Sequence, residues 1–588
     1  KTMILPVNPG KIIVFQDNDQ QSQWFDDAFW QNYYIGVNGG GENIRMRAGD
    51  YGHGGKATLT YTNRNYWMRA MMSYHTGLSD KGWAFSALVG GRYSNEGVID
   101  GTFYRNFSYA LMLEKRWGNT HSLTLTTFGS PVCRGQQGGT VQEVYDLTGN
   151  NLYNVTGKDW YNAMFNDAYT RVISAWNQLD PQRGEFPEVV ALADIVKVAA
   201  MHRVTDTYGP IPYLNISSGD INKAYDPQQA VYKRFFEELD AAITTLTAFY
   251  EAQPGTKLLE AYDNVFSGNV SGWIKFANTL RLRLAMRVVY ADAALAQEQA
   301  AAAIGNPVGL MTGAADLAEL HKPATGSWEY PLYMIQYNFD DSRIGATIEA
   351  YMNGYQDPRR GKYFVATAKG EYHGVRTGIT PTSSYADSED LSRVNCTNND
   401  NIMWMTPAEA WFLRAEYELR WGSESDAATY YAEGIRTSFS TLGASGAEDY
   451  IADKELTPGS YTDMVTGGNS NQSPLASIPI CWKAGGNFET HLEQIITQKY
   501  LAMFPEGQEA WSEFRRTGYP RILPVLVNNS GGKISTTRQI RRLNYPSTEY
   551  STNAEAVATA THTLNSESSN PTGDNGGTSV WWDKNPRL

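Results

Sequence analysis

Between Trp273 and Tyr290 the chain reads WIKFANTLRLRLAMRVVY, and no other stretch limits its folding as tightly. Trp273, Phe276, Ala277, Leu280, Leu284 and Val288 recur at three- and four-residue steps, one continuous face of an α-helix, while Leu282, Met286 and Val289 add a second apolar row. A helix that is apolar on two sides is covered by protein, yet Arg283 and Arg287 lie one turn apart between the rows. Guanidinium groups at that depth require carboxylate or carbonyl partners, because an unpaired buried charge costs several kcal/mol. The spacing predicts a large helical core tied by an internal ion-pair network, with ligand contact the less favoured role for these arginines.

At 588 residues the chain is too long for one ordinary domain. Its 49 Lys and Arg against 62 Asp and Glu leave a formal charge of -13, which argues against nucleic acid or an anionic membrane surface as partner. Aromatic residues make up 13% of the chain, a share suited to a membrane-interface girdle or to stacking sites. Cys133, Cys396 and Cys481 form no CxxC pair, which excludes a cysteine-built zinc site and a disulfide framework. No run of about eighteen apolar residues occurs, so no transmembrane helix is expected. The sequence opens at Lys1 with no charged n-region or apolar h-region, so no secretory signal is expected within it.

Catalytic patterns are absent: there is no HExxH, GxSxG or P-loop, and His202 and His491 lie in helical contexts that suit packed core histidines. Asp17, Asn18 and Asp19 resemble the start of a calcium loop, but the required glycine and terminal glutamate do not follow. No enzyme activity, cofactor or metal site is expected.

From Lys56 to about Ser130 the hydrophobic pattern has period two. Ala57, Leu59 and Tyr61 alternate with threonines; Trp83, Phe85, Ala87 and Val89 share one face, as do Phe103, Phe107, Tyr109, Leu111 and Leu113; turn clusters GLSDKG (77–82) and RWGNTH (116–121) separate them. Antiparallel strands follow, either as an outer-membrane barrel wall with Tyr66, Trp67, Trp83 and Trp117 at its girdle or as a soluble sheet packed on one face. The runs WFDDAFWQNYYIGVNGGGENIRMR (24–47), GWAFSALVGGRYSNEGVIDGTFY (82–104) and GGTVQEVYDLTGNNLYN (138–154) resemble part of the SusC-like TonB-dependent outer-membrane transporters. That resemblance implies a plug and a barrel of about twenty-two strands, whereas residues 1–154 have room for about six strands and show no plug.

After Asn154 the period changes to 3.6. Helices are expected at about 158–178, 187–206, 227–250, 268–291, 406–421, 424–440 and 489–504. Asp226 before Pro227 suggests an N-cap with proline at N1, and Thr406, Pro407 and Glu409 a capping-box-like start. Ala408, Ala410 and Ala415 suggest close helix crossings of a tetratricopeptide-like kind. From about 293 to 405 the pattern is irregular and rich in Gly, Ser, Asn, Asp and Tyr. Loop aromatics in that setting suit a sugar-binding surface, because the C–H face of a pyranose packs on a ring while nearby polar side chains bond its hydroxyls. Trp328, Tyr330, Tyr337 and Tyr372, on the loops between about Lys322 and Asp390, are the candidate stacking residues. The alternative for each ring is closure of the core under long loops.

A second resemblance covers the rest of the chain. FNDAYTRVISAW, ADIVKVAAMHRVTDTYGPIPY (193–213), WIKFANTLRLRLAMR, GYQDPRRGKYF (354–364), MTPAEAWFLRAEYELRWG, IITQKYLAMFPEGQEAWSEFRRTGYPRILP (495–524) and the late WWDKNP are similar to the SusD/RagB-like outer-membrane glycan-binding lipoproteins. The resemblance implies a mainly α, tetratricopeptide-like domain with irregular loops over residues 155–588, preceded by the antiparallel β segment. It further implies non-enzymatic capture of oligosaccharides at the outer membrane of a Gram-negative cell and delivery to a SusC-like TonB-dependent transporter. Peptide capture on the same architecture, or a purely structural helical scaffold, are the alternatives. The family's lipid-bearing cysteine has no counterpart near residue 155.

Overall fold

The computed structural model describes residues 3–8, 11–15, 47–61, 67–95, 104–118, 121–134, 160–217, 223–323, 328–340, 342–380, 383–386, 388–466 and 470–588. Two compact units divide the chain, Lys1–Val141 and Gln142–Leu588.

In the first unit β1 (Met3–Asn8) and β2 (Lys11–Phe15) form an antiparallel pair. Strands β3 (Gly54–Tyr61), β4 (Met68–His75), β5 (Trp83–Ser94), β6 (Tyr104–Trp117) and β7 (His121–Gly129) follow as an antiparallel meander in sequence order, with β8 (Val132–Arg134) also pairing to β6. The period-two pattern works as read: Ala84, Leu88, Ala110 and Met112 pack with Ala48, while Phe85, Val89, Leu111 and Leu113 point the other way and are exposed. On the inner face the Glu114 carboxylate accepts from the Gly49 amide at 2.7 Å and from Arg116 at 2.6 Å. The outer face is bare and apolar, with Tyr61 79% and Leu59 75% exposed. A segment with room for about six strands is too short to close a barrel, and the sheet does not close. Strands β3 and β7 stand at the two ends of the order, so the sheet is open and no barrel forms among the described residues. A wall of this size lacks the strands that a closed shear requires. The runs 24–46 and 138–154 lie outside the described residues.

The second unit is mainly helical. It begins with α1 (Trp160–Asp167), a π-helical turn at Ala168–Ile173 and α2 (Ser174–Leu179), then α3 (Pro187–Tyr208), α4 (Gln228–Ala252), α5 (Val270–Arg287) and α6 (Ala293–Ile304). After β9 (Ala318–Leu320) come α7 (Ala346–Gly354), α8 (Arg360–Tyr363) and β10 (Ile402–Met405), then α9 (Pro407–Trp421), α10 (Glu424–Leu442), α11 (Phe488–Ala502), α12 (Gly507–Thr517) and α13 (Ala554–Glu567). Consecutive helices pack in pairs, α3 with α4, α5 with α6 and α9 with α10. Ala408, Ala410 and Ala415 are fully buried, and Gly434 lets the Phe412 ring pass where a Cβ would meet it at 2.7 Å. Among the described residues no helix is long and apolar enough to cross a membrane.

Several local expectations change. Pro227, not Asp226, is the residue before α4, and the Asp226 carboxylate instead accepts from the Tyr213 and Leu214 amides, each at 2.8 Å. Thr406 precedes α9 without a side-chain cap, its backbone carbonyl accepting from the Glu409 amide at 3.1 Å, and the Glu409 side chain is turned into the core toward Arg283 instead of back to the helix start. The stretch read as irregular contains α6 and α7, and α12 and α13 are additional helices. The π turn at Ala168–Ile173 carries one residue more per hydrogen-bonded ring than the 3.6 period anticipates.

The central arginines are paired as their depth demands. On α5, Arg283 meets both oxygens of Glu409 on α9 at 2.8 and 2.5 Å, and Arg287 bonds Glu509 and, at 3.0 Å, Glu513 on α12. Lys499 of α11 stands 3.3 Å from Glu409 and 3.6 Å from Glu513, while Arg516 joins Glu513 at 2.5 Å to Glu416 at 2.6 Å. Arg203 of α3 closes the set on Glu506 at 2.6 Å. Burial alone would raise the Glu416 carboxyl, yet Arg516 and Arg420 beside it hold it well below the ordinary carboxylate range. Glu506 goes the other way: its burial outweighs Arg203 and Arg283, and its carboxyl sits above the ordinary range.

Replacing Arg283 with Met leaves Glu409 buried without its bidentate partner and is expected to lower unfolding free energy by about 3 kcal/mol. Urea melts of Arg283→Met and of the double variant Arg283→Met/Glu409→Leu check this. The double variant should recover part of the loss, and a single variant as stable as the parent contradicts the pairing.

Candidate functional site

The irregular middle of the second unit is organised by a two-stranded ribbon. Strands β9 and β10 pair antiparallel, with Met403 opposite Glu319 and Ile402 opposite Leu320. Just before β10 runs the polar segment NCTNNDN, residues 395–401. Its turn is held by Asp400, whose carboxylate accepts from the Thr397 amide at 3.1 Å and the Thr397 hydroxyl at 2.5 Å. The Tyr330 amide donates to the Asn398 carbonyl at 3.1 Å and docks the segment carrying Trp328 and Tyr330 onto this turn. Lys322 donates to Asn399 at 2.7 Å, and Asn401 donates to Glu319 at 2.9 Å.

These contacts frame a cavity of about 450 Å³. Its lining combines polar residues, Glu319, Lys362, Asn395, Asn399, Asp400 and Asn401, with apolar ones, Leu317, Met403, Leu442, Phe504 and Pro505. Tyr330 also lines it. Amide and carboxylate groups beside a flat ring can bond the hydroxyls of a neutral polar ligand while the apolar residues receive its C–H surface. Among the described residues no group of three or more His, Cys, Asp or Glu could hold a metal.

Of the four candidate aromatic residues, only Tyr330 lines the cavity. It is 8% exposed rather than open, and burial pushes its phenol up to about 12. Tyr337 is exposed: its hydroxyl donates to the Val394 carbonyl at 3.2 Å, its ring lies 4.8 Å from that of Tyr333, and the Arg393 guanidinium sits 5.4 Å over it. Trp328 is half-buried, two residues from Tyr330. Tyr372 is half-buried outside the cavity, packed against the buried cluster that contains Tyr351, Tyr355, Phe412 and Leu492, with Arg360 over its ring at 5.5 Å. The polar cavity residues were not singled out from sequence, although the NCTNNDN run is visible there as a loop-borne cluster of amides.

The sequence model of the SusD-like family, described as Susd and RagB outer membrane lipoprotein, matches residues 100–583. No curated protein matches. Among solved structures, the chain is similar to a chitin-binding SusD homologue from Flavobacterium johnsoniae, with 39% identity over 74% of this chain and 89% of that one and a TM-score of 0.70. It is also similar to SusD homologues from Bacteroides thetaiotaomicron (39% identity, 74% and 90% covered, TM-score 0.67) and Bacteroides uniformis (38%, 74% and 90%, 0.67). None of these matches supports a transporter-like origin for residues 1–154; the family match itself begins within that segment, at residue 100.

Cys396 supplies a probe inside the cavity. Burial, with Asp400 adding to it, pushes its thiol up to about 11, so at pH 8 roughly one molecule in a thousand carries the thiolate. With Cys133 and Cys481 replaced by Ser, iodoacetamide labelling of Cys396 should be slow at pH 8 and rise about tenfold per pH unit toward 11. A rate that levels off by pH 9 contradicts this environment.

Proposed function

Because the chain belongs to the SusD-like family of outer-membrane lipoproteins, whose members bind rather than catalyse, we propose that it captures oligosaccharides and hands them to a SusC-like TonB-dependent transporter. The observation that carries this reading is the cavity at Tyr330, whose lining combines three asparagines, Asp400 and Glu319 with an aromatic ring and apolar side chains such as Leu317, Met403 and Phe504. A pyranose has that pair of surfaces, hydroxyls at its edge and C–H groups on its face. The chitin-binding homologue favours a polymer of N-acetylglucosamine as the cargo. Tyr330 is the sugar contact within the cavity, and Trp328, Tyr337 and Tyr372, which lie outside its lining, are the further candidate stacking residues on the surrounding loops.

Residues 1–154 and 155–588 act as separate domains on this reading, and the open N-terminal sheet belongs to a membrane-embedded wall. The support for the latter is its bare face, where Leu59, Tyr61, Met72, Leu123 and Leu125 are all exposed, an arrangement that lipid hydrocarbon covers and water does not.

Titration of N-acetylchitohexaose into the protein by calorimetry tests the capture. A stacking ring contributes about 0.5–1.5 kcal/mol, so Trp328→Ala and Tyr337→Ala should each weaken binding several-fold, and together nearly abolish it, with the melting temperature unchanged. Unaltered affinity in both single variants and the double would place the platform elsewhere.

The wall reading is tested by detergent phase partition. The full chain should enter the detergent phase, whereas residues 155–588 alone should stay aqueous and unfold cooperatively on heating. Aggregation of the shorter chain while the full chain is soluble contradicts the division.

A further inference from the structure

We infer that a second contact point for the same oligosaccharide lies across the β9–β10 ribbon from the cavity, at the ring of Tyr262; this rests on the glycan-capture reading. Adjacent side chains of β9 point to opposite faces of the ribbon, and on β10 the register is irregular at Trp404. Glu319 and its cross-strand partner Met403 line the cavity, whereas Leu320 and Trp404 line a separate cleft of about 460 Å³. That cleft is walled by Trp176, Trp273, Trp404 and Val196, with Tyr262 at its mouth.

Tyr262 is 82% exposed, more than any other large hydrophobic side chain of the described residues. Its loop is nevertheless rigid. Lys257 and Asn269 bridge antiparallel at its base, and the Leu258 amide donates to the Gly268 carbonyl at 3.0 Å. The Asp263 carboxylate accepts from the amides of Val265 (2.9 Å), Phe266 (3.1 Å) and Gly268 (2.8 Å) and from the Trp273 indole (2.8 Å). The Leu259 carbonyl takes the Tyr262 and Asp263 amides at 2.8 and 2.9 Å, with Leu259 itself in the left-handed region at φ 55°. A ring held out on a loop this tightly bonded gives up little backbone entropy when a ligand lands on it.

The chemistry of the cleft selects the kind of surface it can take. The Trp176 indole already donates to Asp194 at 2.8 Å and the Trp273 indole to Asp263, so these two side chains offer the cleft their ring faces rather than a free N–H. Asn264 and Arg171, both exposed, lie at the rim. Apolar faces below and polar groups at the rim match a pyranose laid flat, its C–H face down and its hydroxyls outward. The His321 amide, next after β9, donates to the Asn264 carbonyl at 2.8 Å and fixes the end of the ribbon to the Tyr262 loop. A chain that fills the Tyr330 cavity and is long enough to pass the end of the ribbon therefore meets Tyr262 at a fixed position. Two linked contacts on one polymer make affinity depend on its length.

The test is calorimetric titration of N-acetylchitohexaose and N,N′-diacetylchitobiose into the full chain and its Tyr262→Ala and Tyr262→Phe variants. Tyr262→Ala should weaken hexaose binding roughly 2- to 12-fold, the range a lost stacking contact converts to. Its affinity for the disaccharide should be unchanged, and Tyr262→Phe, which keeps the ring, should bind the hexaose as the parent does. If the parent binds the hexaose and Tyr262→Ala binds it equally well, the second contact is overturned while capture stands. If the parent binds neither sugar, the capture reading falls and this inference falls with it.

Discussion

The buried ion pairs around α5 are the constraint on which the second unit depends. Arg283 and Arg287 are held by Glu409, Glu509 and Glu513, and the same carboxylates also face Lys499 and Arg516. Taking these charges out of water is unfavourable, and the attraction between them offsets the penalty only when the geometry is right. A slip of α9 or α12 by one turn would leave a guanidinium and a carboxylate buried and alone. The network thus admits one arrangement of α3, α5, α9, α11 and α12 far more readily than its neighbours. The neighbouring carboxyls record the balance at each position: Glu509 and Glu513 are held down by surrounding cations despite their burial, while Asp206 is pushed up because burial outweighs Arg287 and Arg515.

Much of this was legible in the sequence because it is local or periodic. The two apolar rows of Trp273–Tyr290 and the arginines between them announce a covered helix that needs carboxylates, although which carboxylates depends on residues more than a hundred positions away. The alternation of β5 and β6 announces a sheet with one apolar face, and the length of residues 1–154 already limits it to fewer strands than a closed barrel needs. Helices α6 and α7 were hidden because their surroundings are rich in turn-forming residues, and α3 shows how far tertiary packing can bury even Asp194, Lys197 and His202.

The site was legible only in part for the same reason. Tyr330 lies in a polar stretch, as an exposed stacking residue would, yet the hydrogen bond from its backbone N–H to the Asn398 carbonyl docks it against the Asn395–Asn401 turn, where it is nearly covered. Tyr262 shows the converse. Nothing in AYDNVF marks it as exposed, and its position follows from the four donors that converge on Asp263. Loop residues gain fixed geometry here from carboxylates that bind backbone amides, Asp263 and Asp400 alike, while the helices behind them supply the rigid ground. The β9–β10 ribbon joins the two, with one face toward the polar cavity and the other toward the aromatic cleft.

A crystal structure of the full chain soaked with N-acetylchitohexaose tests the central claim, that this scaffold presents a preformed sugar site at the ribbon. The account predicts sugar density in the cavity, with a pyranose against Tyr330 and hydrogen bonds to the amides of Asn395, Asn399 or Asn401. It also predicts no change in the Asp400 turn. Ordered sugar bound only to a surface remote from the β9–β10 ribbon, with the cavity empty, would contradict it.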